Sequence, residues 1–227
     1  MHADTHGPSA KVVEGGFDLD AGMLCLDFAN TLDMRFNPQP NEGLPSYAAL
    51  IAFAAQAGAI DHANVSVLAH AAMRDERGAH DSHQRAIELR EVIFRIFMAI
   101  ADDRTPDDAD LAQLNRALAD ALPHGGVEHR IDVFVWEWES ATHLDRPLWP
   151  IVKSAADLLL GQAGDLRRVR ECAAHDCGWL FLDTSRNRSR RWCSMQSCGN
   201  RAKVQEFRER RRGAGGEESG KGKRESQ

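Results

Sequence analysis

The residues in this sequence with the most recognisable chemistry are four cysteines near its carboxyl end. They form two pairs, Cys172 with Cys177 and Cys193 with Cys198; each pair encloses four residues, and fifteen residues separate the pairs. Four soft thiolates in two short clusters are the ligands of a tetrahedral structural Zn²⁺ site, although a four-cysteine site can also hold iron. The spacing therefore predicts one metal ion per chain, bound by these four cysteines, and zinc is the metal that we expect.

Basic residues are concentrated around the same cysteines. From Arg167 to Arg212 the sequence has thirteen Lys and Arg against five Asp and Glu, whereas the rest of the chain has 15 basic and 29 acidic residues. A basic end on an acidic chain indicates an anionic partner for that end, and nucleic acid is the partner that we expect. The alternative is a solvated charged surface that also docks on the acidic part of the chain.

The carboxyl-terminal region is expected to fold like a treble clef. The first cysteine pair and Gly178 form a knuckle, a short strand begins at Trp179, residues 188–192 return as the second half of a hairpin, and Cys198 lies at the start of a helix. The small apolar core would consist of Trp179, Phe181, Trp192 and Phe207. Because so small a core buries little surface, zinc would provide much of the folding free energy, on the order of 10 kcal/mol.

The predicted hairpin and helix both carry candidate nucleic-acid contacts. The candidates are Arg186, Arg188, Arg190 and Arg191 on the hairpin, and Arg201, Lys203, Arg208 and Arg211 on the helix. Arginine bound to guanine is the commonest specific base contact, while most basic residues contact phosphates. The sequence does not show which of these arginines would reach bases.

The rest of the chain is predicted to be a helical domain with a short β element. Apolar residues recur at helical spacing over 46–58, 61–78, 82–103 and 145–160. A further helix is expected to begin with Thr105 as its N-cap and Pro106 as its first residue. The β-branched and aromatic run over 131–139 predicts a strand, which could be half of a hairpin, and Gly125 and Gly126 are expected to break the pattern before it.

Residues 22–32 fit more than one kind of secondary structure. Their apolar residues alternate as in a strand, but Leu24 and Phe28 also fall on one helical face, and we expect a helix. Asp27 and Asn30 in this segment could form a polar pocket, although a hydrogen bond at a helix end is the favoured interpretation.

Several function classes are disfavoured by what the sequence lacks. It has no apolar run of about 18 residues, so no membrane span is expected, and residues 1–16 have no segment of signal-peptide type, so we expect a cytoplasmic protein. None of the common hydrolase, protease or nucleotide-binding motifs is present, and we expect no enzyme. A nuclease would need a general-base histidine and further metal ligands, and the cysteine region offers only His175, whose role as a zinc ligand in place of a cysteine is also disfavoured.

The sequence resembles a known family at two places. The run from Cys177 to Lys203 is similar to the CGNR-type zinc finger, whose signature is Cys198-Gly199-Asn200-Arg201, and residues 24–31 with the helical region resemble the ABATE domain that usually precedes that finger. The resemblance covers nearly the whole chain outside its termini. It implies a stress-induced transcription regulator whose finger binds DNA, with the four cysteines as metal ligands.

These observations divide the chain into three parts. We expect an ABATE-like helical domain over 17–163, here called the body, a zinc finger over 166–212, here called the finger, and a disordered tail over 213–227. The expected function is a zinc-dependent DNA-binding transcription regulator in which the body regulates or forms a homodimer. The alternative is a zinc-stabilised structural or protein-interaction module that binds no nucleic acid. The sequence names neither a DNA target nor a small-molecule effector.

Overall fold

The fold is described from a computed structural model, which describes residues 16–139, 142–161, 165–175, 177–204 and 207. The helices are α1 (Leu24–Ala29), α2 (Tyr47–Gln56), α3 (His62–Arg74), α4 (Glu76–Ala101), α5 (Asp108–Ala121) and α6 (Leu148–Leu159). The strands are β1 (Leu32–Asp33), β2 (Asn41–Glu42), β3 (Gly125–Arg130), β4 (Val133–Trp138), β5 (Val169–Glu171) and β6 (Leu180–Leu182). They form the antiparallel pairs β1–β2, β3–β4 and β5–β6. The predicted, mainly helical fold with a short β element before the cysteine region is confirmed.

The long helix α4 is the centre of the body. One face of it is apolar over most of its 26 residues, and Ala86, Ile93, Ile96 and Phe97 on that face are fully buried. Helices α1, α2, α3 and α5 pack on α4. A stripe of this width requires neighbours on several sides, which explains why the strongest helical pattern in the sequence became the core helix.

Helix α1 is short and almost entirely buried. Cys25, Leu26, Phe28 and Ala29 are all fully buried, because α1 lies between α4, α6 and β6. A helix that is buried on all sides loses its periodic signal, and this is why the sequence pattern also fitted a strand. Burial raises the pKa of the Cys25 thiol to about 12, so this cysteine is a small apolar core residue at neutral pH.

The start of α5 differs from the prediction. Thr105 is not the N-cap; α5 begins at Asp108, and Asp107 caps it by accepting a hydrogen bond from Ala109 N at 2.7 Å. A carboxylate is favoured at this position because it satisfies a free N–H group and complements the helix dipole. The Asp110 carboxylate accepts hydrogen bonds from the guanidinium of Arg95 on α4, with a shortest N–O distance of 2.5 Å, and this ion pair fixes the first turn of α5 against α4.

The predicted strand over 131–139 is half of a hairpin, and its bounds are shifted. Ile131 and Asp132 form the turn, where Asp132 has a φ of 62°, and β3 pairs with β4 on either side of it. The prediction that Gly125 and Gly126 break the helical pattern is confirmed, because α5 ends at Ala121 and both glycines belong to β3. Gly125 fits there because a Cβ would lie 2.6 Å from the rings of two tryptophans on β4.

The finger shares one apolar core with the body. Val169 of β5 and Leu180 and Phe181 of β6 are buried in the same cluster as the side chains of α1 and α4. Phe207 is 60% exposed, so the expected contribution of this residue to a separate finger core is not observed. The finger therefore gains apolar burial from the body in addition to any stabilisation by metal.

The hairpin in the finger uses different segments from those expected. Strand β6 pairs with β5, not with residues 188–192, which contain no strand. The other edge of β6 is occupied by the body: Leu182 N donates to Ala21 O at 2.8 Å, and the Asn30 amide both accepts from Leu180 N at 2.9 Å and donates to Leu180 O at 2.8 Å. The returning segment cannot pair at an edge that is already filled.

The loop after β6 is held by a carboxylate. Asp183 is fully buried, and its two oxygens accept from Ser185 N at 2.9 Å and from Arg190 N at 3.1 Å. These bonds satisfy the loop backbone in place of a strand ladder.

Asn30 gives a first test of how the finger is docked. Asn30→Ala removes two buried hydrogen bonds and leaves Leu180 N and O unpaired, so we expect the free energy of unfolding to fall by about 2–4 kcal/mol. Urea denaturation of the zinc-loaded protein measures it. The control is Asn115→Ala on the exposed face of α5. An equal decrease in the free energy of unfolding in both variants would show that the hydrogen bonds between Asn30 and Leu180 do not stabilise the fold.

A second test uses the pH dependence of the buried carboxyl group of Asp27. Burial raises its pKa to about 6, although its hydrogen bond from Ala21 N at 2.9 Å acts in the opposite direction. Because the folded state holds this proton more tightly than the unfolded chain, the contribution to stability is complete below pH 4 and is lost as the pH rises through 6, by up to about 3 kcal/mol.

Asp27→Asn keeps the acceptor oxygen and removes the charge. We expect the variant to lose this pH dependence and to be more stable than the original protein above pH 6, as measured by urea denaturation with zinc present at each pH. Parallel pH profiles of the two proteins would contradict the assignment.

Candidate zinc site and nucleic-acid interface

The first cysteine pair is positioned by the β5–β6 hairpin. Cys172 directly follows β5 and donates from its N to Trp179 O at 2.8 Å, and Cys177 precedes β6. Between Cys177 and β6 lies Gly178, with a φ of 70°. A Cβ at Gly178 would also lie 2.9 Å from the Phe36 ring, so this position needs glycine for its conformation and for its close approach to the body.

The second pair is brought to the first by the loop and a helical turn. Cys193 N points at Cys172 Sγ, 3.4 Å away, and Ala173 N donates to Arg191 O at 2.8 Å. Cys198 lies in a π-helical turn, Met195–Gly199, which continues as α-helix over 200–204. The expectation that Cys198 lies at the start of a helix is confirmed.

The four sulfur atoms form a compact buried cluster. All lie within 4.8 Å of one another, with Sγ–Sγ distances of 3.7 Å between Cys177 and Cys193 and 3.5 Å between Cys193 and Cys198. A tetrahedral ion with Zn–S bonds of about 2.3 Å requires sulfur atoms about 3.8 Å apart. None of the four is in a disulfide. The four predicted ligands therefore form a zinc-binding site whose dimensions fit one zinc ion per chain.

Crowding of the thiols changes their pKa values in opposite directions. Hydrogen bonds from the Cys177 and Cys193 thiols lower the pKa of Cys172, and the contact with Cys172 raises the pKa of Cys177. Cysteine binds zinc as the thiolate, so zinc must displace the protons that this cluster otherwise shares. Zinc affinity will therefore fall as the pH falls.

Arg201, predicted as a nucleic-acid contact, lies against the zinc site. Its Nη2 donates to Cys198 Sγ at 3.0 Å and its Nη1 to Met34 Sδ at 3.3 Å. Its contact with Cys198 raises the pKa of Arg201. Four thiolates around Zn²⁺ carry a net charge of −2, which this guanidinium partly offsets. The spacing of three residues along a helix was a signal for this contact that the sequence reasoning missed.

Arg190, another predicted contact, is built into the loop. Its guanidinium lies 4.3 Å from the centre of the Phe181 ring. It donates to Trp192 O at 3.0 Å, to Asp20 O at 3.0 Å and to Cys193 O. This side chain ties the loop to the second cysteine pair and to the segment before α1.

The remaining predicted contacts differ in their surroundings. Arg186, Arg188, Arg191 and Lys203 are exposed. Arg188 pairs with Asp165 at 3.3 Å and Arg191 lies 5.1 Å from the centre of the Trp192 ring, whereas Arg186 and Lys203 have no ion pair within the described ranges. Arg208 and Arg211 lie outside the described residues, as does the predicted disordered tail.

An open groove on the finger surface includes Arg191, but not Arg186, Arg188 or Lys203, in its lining. Its volume is about 760 Å³, and hydroxyl, amide and guanidinium groups line it together with one indole, Cys193, Met195 and the acidic residue Asp20. The lining includes Ser185, Ser189, Arg191, Trp192, Ser194 and Gln196. Hydroxyl, amide and guanidinium groups suit phosphate and sugar contacts, and the partly buried Trp192 ring is an aromatic surface on which a base can stack.

His175 is exposed on the knuckle, outside the four-cysteine cluster. Among the described residues, the group of His, Cys, Asp or Glu side chains that could hold a metal ion consists of the four cysteines alone. The expectation that His175 is not a zinc ligand agrees with this arrangement.

The body has a cleft of its own. It lies between α4, α5 and the start of α6, has a volume of about 740 Å³, and includes Arg116 and His143 in its lining. At one end the His124 ring stacks on the buried Trp149 ring, with centres 4.2 Å apart and planes 5° apart. No motif in the sequence indicates this cleft, because three separate helices form it. No helix in the described part of the chain has the length and apolar character needed to cross a lipid bilayer.

Zinc content tests the ligand assignment. Cys198→Ser removes one ligand and the sulfur that Arg201 contacts, so we expect the zinc-to-protein ratio, measured by elemental analysis after dialysis against a weak chelator, to fall from about one to near zero. The control is Cys25→Ala, which lies outside the cluster and should retain its zinc. Full zinc retention in Cys198→Ser would contradict the assignment.

Two family models match this chain. The first, ABATE, described as "putative stress-induced transcription regulator", matches residues 22–162, and the second, the CGNR zinc finger, matches residues 168–211. A search of curated proteins finds no match. Neither family description names an enzymatic activity. Because the first model covers more than half of the chain, the protein belongs to the ABATE family and carries a CGNR zinc finger after its ABATE domain.

Proposed function

We propose that this protein is a zinc-dependent, DNA-binding transcription regulator in which the finger contacts DNA. The observation that carries the proposal is the finger groove, where the exposed Arg191 lies beside hydroxyl and amide groups and an indole. Arg186 and Lys203 are not neutralised by ion pairs within the described ranges. Their positive charge is therefore available to phosphates.

The charge distribution of the chain supports the same partner. The region from Arg167 to Arg212 has a formal charge of +8, and zinc with four thiolates lowers it to about +6. The rest of the chain has a formal charge of −14, which DNA would repel. The basic surface of the finger should therefore face the DNA duplex, and the body should face away from it.

The proposed contacts are a subset of the basic residues of the finger. They are Arg186, Arg188, Arg191, Lys203, Arg208 and Arg211. Arg190 and Arg201 support the loop and the zinc site, and we assign them this structural role. Contacts of six cations with phosphates correspond to a slope of log K against log salt of about −5.

The body provides the regulatory part of the proposed function. Its cleft of about 740 Å³ has the size of a small-molecule site, and the stacked His124 and Trp149 rings form an aromatic wall at one end. Helix α4 connects this cleft to the finger, because α4 lines the cleft and also packs against β5 and β6.

The test is a titration of the zinc-loaded protein into labelled duplex DNA at several salt concentrations. The double variant Arg186→Gln and Arg191→Gln should bind at least ~10-fold more weakly and reduce the slope by about 2. The matched control is Arg74→Gln with Arg77→Gln, which removes the same charge from exposed positions on the body and should leave the slope unchanged.

The second candidate, a protein-interaction module, is favoured by the internal use of Arg190 and Arg201. For that function, the Arg186 and Arg191 variant would bind DNA no differently from the control variant. Absence of any DNA binding by the original protein at low salt would overturn the regulator proposal and leave the interaction module.

A further inference from the structure

The β3–β4 hairpin, here called the arm (Gly125–Trp138), exposes more apolar surface than a solvated hairpin requires. Val127 is 68%, Ile131 93%, Val133 53% and Phe134 74% exposed. Val127 and Phe134 lie on one face of the hairpin and Val133 on the other, and large exposed apolar side chains of this kind usually mark an interaction surface. The arm is also a sheet of two strands, and an isolated two-stranded hairpin is only marginally stable in water.

The base of the arm is fixed to the body while its tip is not. At the base, the Trp138 ring lies 6.0 Å from the Trp149 ring, the Lys153 ammonium lies 5.1 Å from the Trp136 ring, and Glu139 N donates to His124 O at 2.9 Å. A fixed base holds the exposed tip in a defined direction, as a docking element requires.

Of the two strands, β3 presents the more open edge. Gly126 and every later residue of β3 are exposed, whereas three of the six residues of β4 are partly buried against neighbouring side chains. Among the described residues β3 pairs with β4 alone, so no other strand lies at its second edge. The unpaired N–H and C=O groups of an open antiparallel edge can form hydrogen bonds with a further strand.

The hydrogen-bond pattern shows which backbone groups this edge offers. The bond from Glu139 N to His124 O belongs to the same register as the β3–β4 ladder. Hydrogen-bonded residues alternate along an antiparallel strand, so the even-numbered residues of β3 bond to β4. The odd-numbered residues, Val127 and His129 among them, direct their N–H and C=O groups to the open edge.

The charges on β3 favour pairing with a second copy of the same strand. If a two-fold axis passes through His129, Glu128 faces Arg130 of the second copy, and Val127 faces Ile131 of the second copy. Moving the axis by one residue places Glu128 against Glu128, or Arg130 against Arg130. Among the registers that pair residues of β3 with residues of β3, the one centred on His129 places opposite charges against each other, and it also uses the outward backbone groups.

Other classes of partner fit the arm less well. Its charged residues are Glu128, Arg130, Asp132 and Glu137, a net charge of −2 with histidine neutral, which disfavours DNA and anionic lipid surfaces. Arg130 already pairs with Glu137 at 2.6 Å, but both side chains are exposed. A guanidinium has five donors and can bind a second carboxylate as well.

We propose that two copies of this chain associate through their β3 edges, so that the two arms form one four-stranded antiparallel sheet with its two-fold axis at His129. This inference deepens the proposed function, since it assigns the body a dimer interface. It depends on the arm alone and does not require the finger to bind DNA. Two fingers in one assembly would double the number of phosphate contacts.

Charge reversal tests the register, with the mass of the zinc-loaded full chain measured by sedimentation between about 1 and 100 µM. The original protein should have twice the chain mass of 25.2 kDa. Glu128→Arg alone and Arg130→Glu alone place like charges opposite each other, and each should raise the dimer dissociation constant at least ~10-fold. The variant with both changes should again form a dimer.

The decisive sample is an equimolar mixture of Glu128→Arg and Arg130→Glu. In a heterodimer of these two variants both cross-strand pairs are attractive, so the mixture should dimerise at lower concentration than either variant alone. The control is Glu76→Arg, an exposed site on α4, which should dimerise like the original protein. Zinc content and circular dichroism of each variant verify that it has folded.

Three results would overturn the proposal. They are an original protein that stays monomeric at 100 µM, single variants that dimerise like the original, and a mixture that remains monomeric while the original dimerises. DNA titrations do not enter this experiment, so failure of the dimer and failure of the regulator function are observed separately.

Discussion

The capture of one edge of β6 by the body determines how the two parts of this protein fit together. The Asn30 amide acts as a short piece of strand, since it accepts from Leu180 N and donates to Leu180 O, and Ala21 O completes the edge by accepting from Leu182 N. With β5 on its other edge, β6 has hydrogen-bond partners on both edges, one supplied by the finger and the other by the body. The finger is therefore an integral layer of the fold and shares its core, whereas many zinc fingers fold on their own.

This arrangement gives zinc a role in addition to holding the finger together. The knuckle that leads into β6 carries two ligands, and the helical turn with Cys198 is joined to the body through Arg201, which contacts both Cys198 Sγ and Met34 Sδ. Arg190 makes a similar connection between the loop and Asp20 O. Because each of these cations bridges the finger and the body, loss of the metal would disturb the packing around α1 as well as the cysteine cluster.

Several features could be predicted from the sequence because they depend on short-range patterns. The four cysteines, the helix that begins near Cys198 and the apolar stripe of α4 all have signals within a few residues of each other. Features that depend on distant pairs could not. Nothing near Asn30 in the sequence points to Leu180, and this single contact explains why residues 188–192 do not form the second strand of the expected hairpin.

The structural roles of Arg190 and Arg201 were missed for the same reason. A basic cluster in a sequence predicts a surface that binds anions. The structure shows instead that carbonyl and sulfur atoms within the protein accept the hydrogen bonds of Arg190 and Arg201. The cleft in the body also escaped prediction, since its walls come from three helices. Local chemistry can thus be read directly from a sequence, whereas the distinction between a cation that binds a ligand and one that holds the fold requires the tertiary contacts.

The contact between Asn30 and Leu180 also sets the order in which the chain can fold during its synthesis. The two residues are 150 positions apart, and α1 has to bury Leu26 and Phe28 partly against α6 and β6, which are synthesised long after it. At about 5–20 residues per second, α1 waits on the order of 10–30 s for β6 to emerge. Throughout that interval its apolar side chains lack part of their final cover, so a nascent chain without β6 is the form most exposed to aggregation and to chaperones.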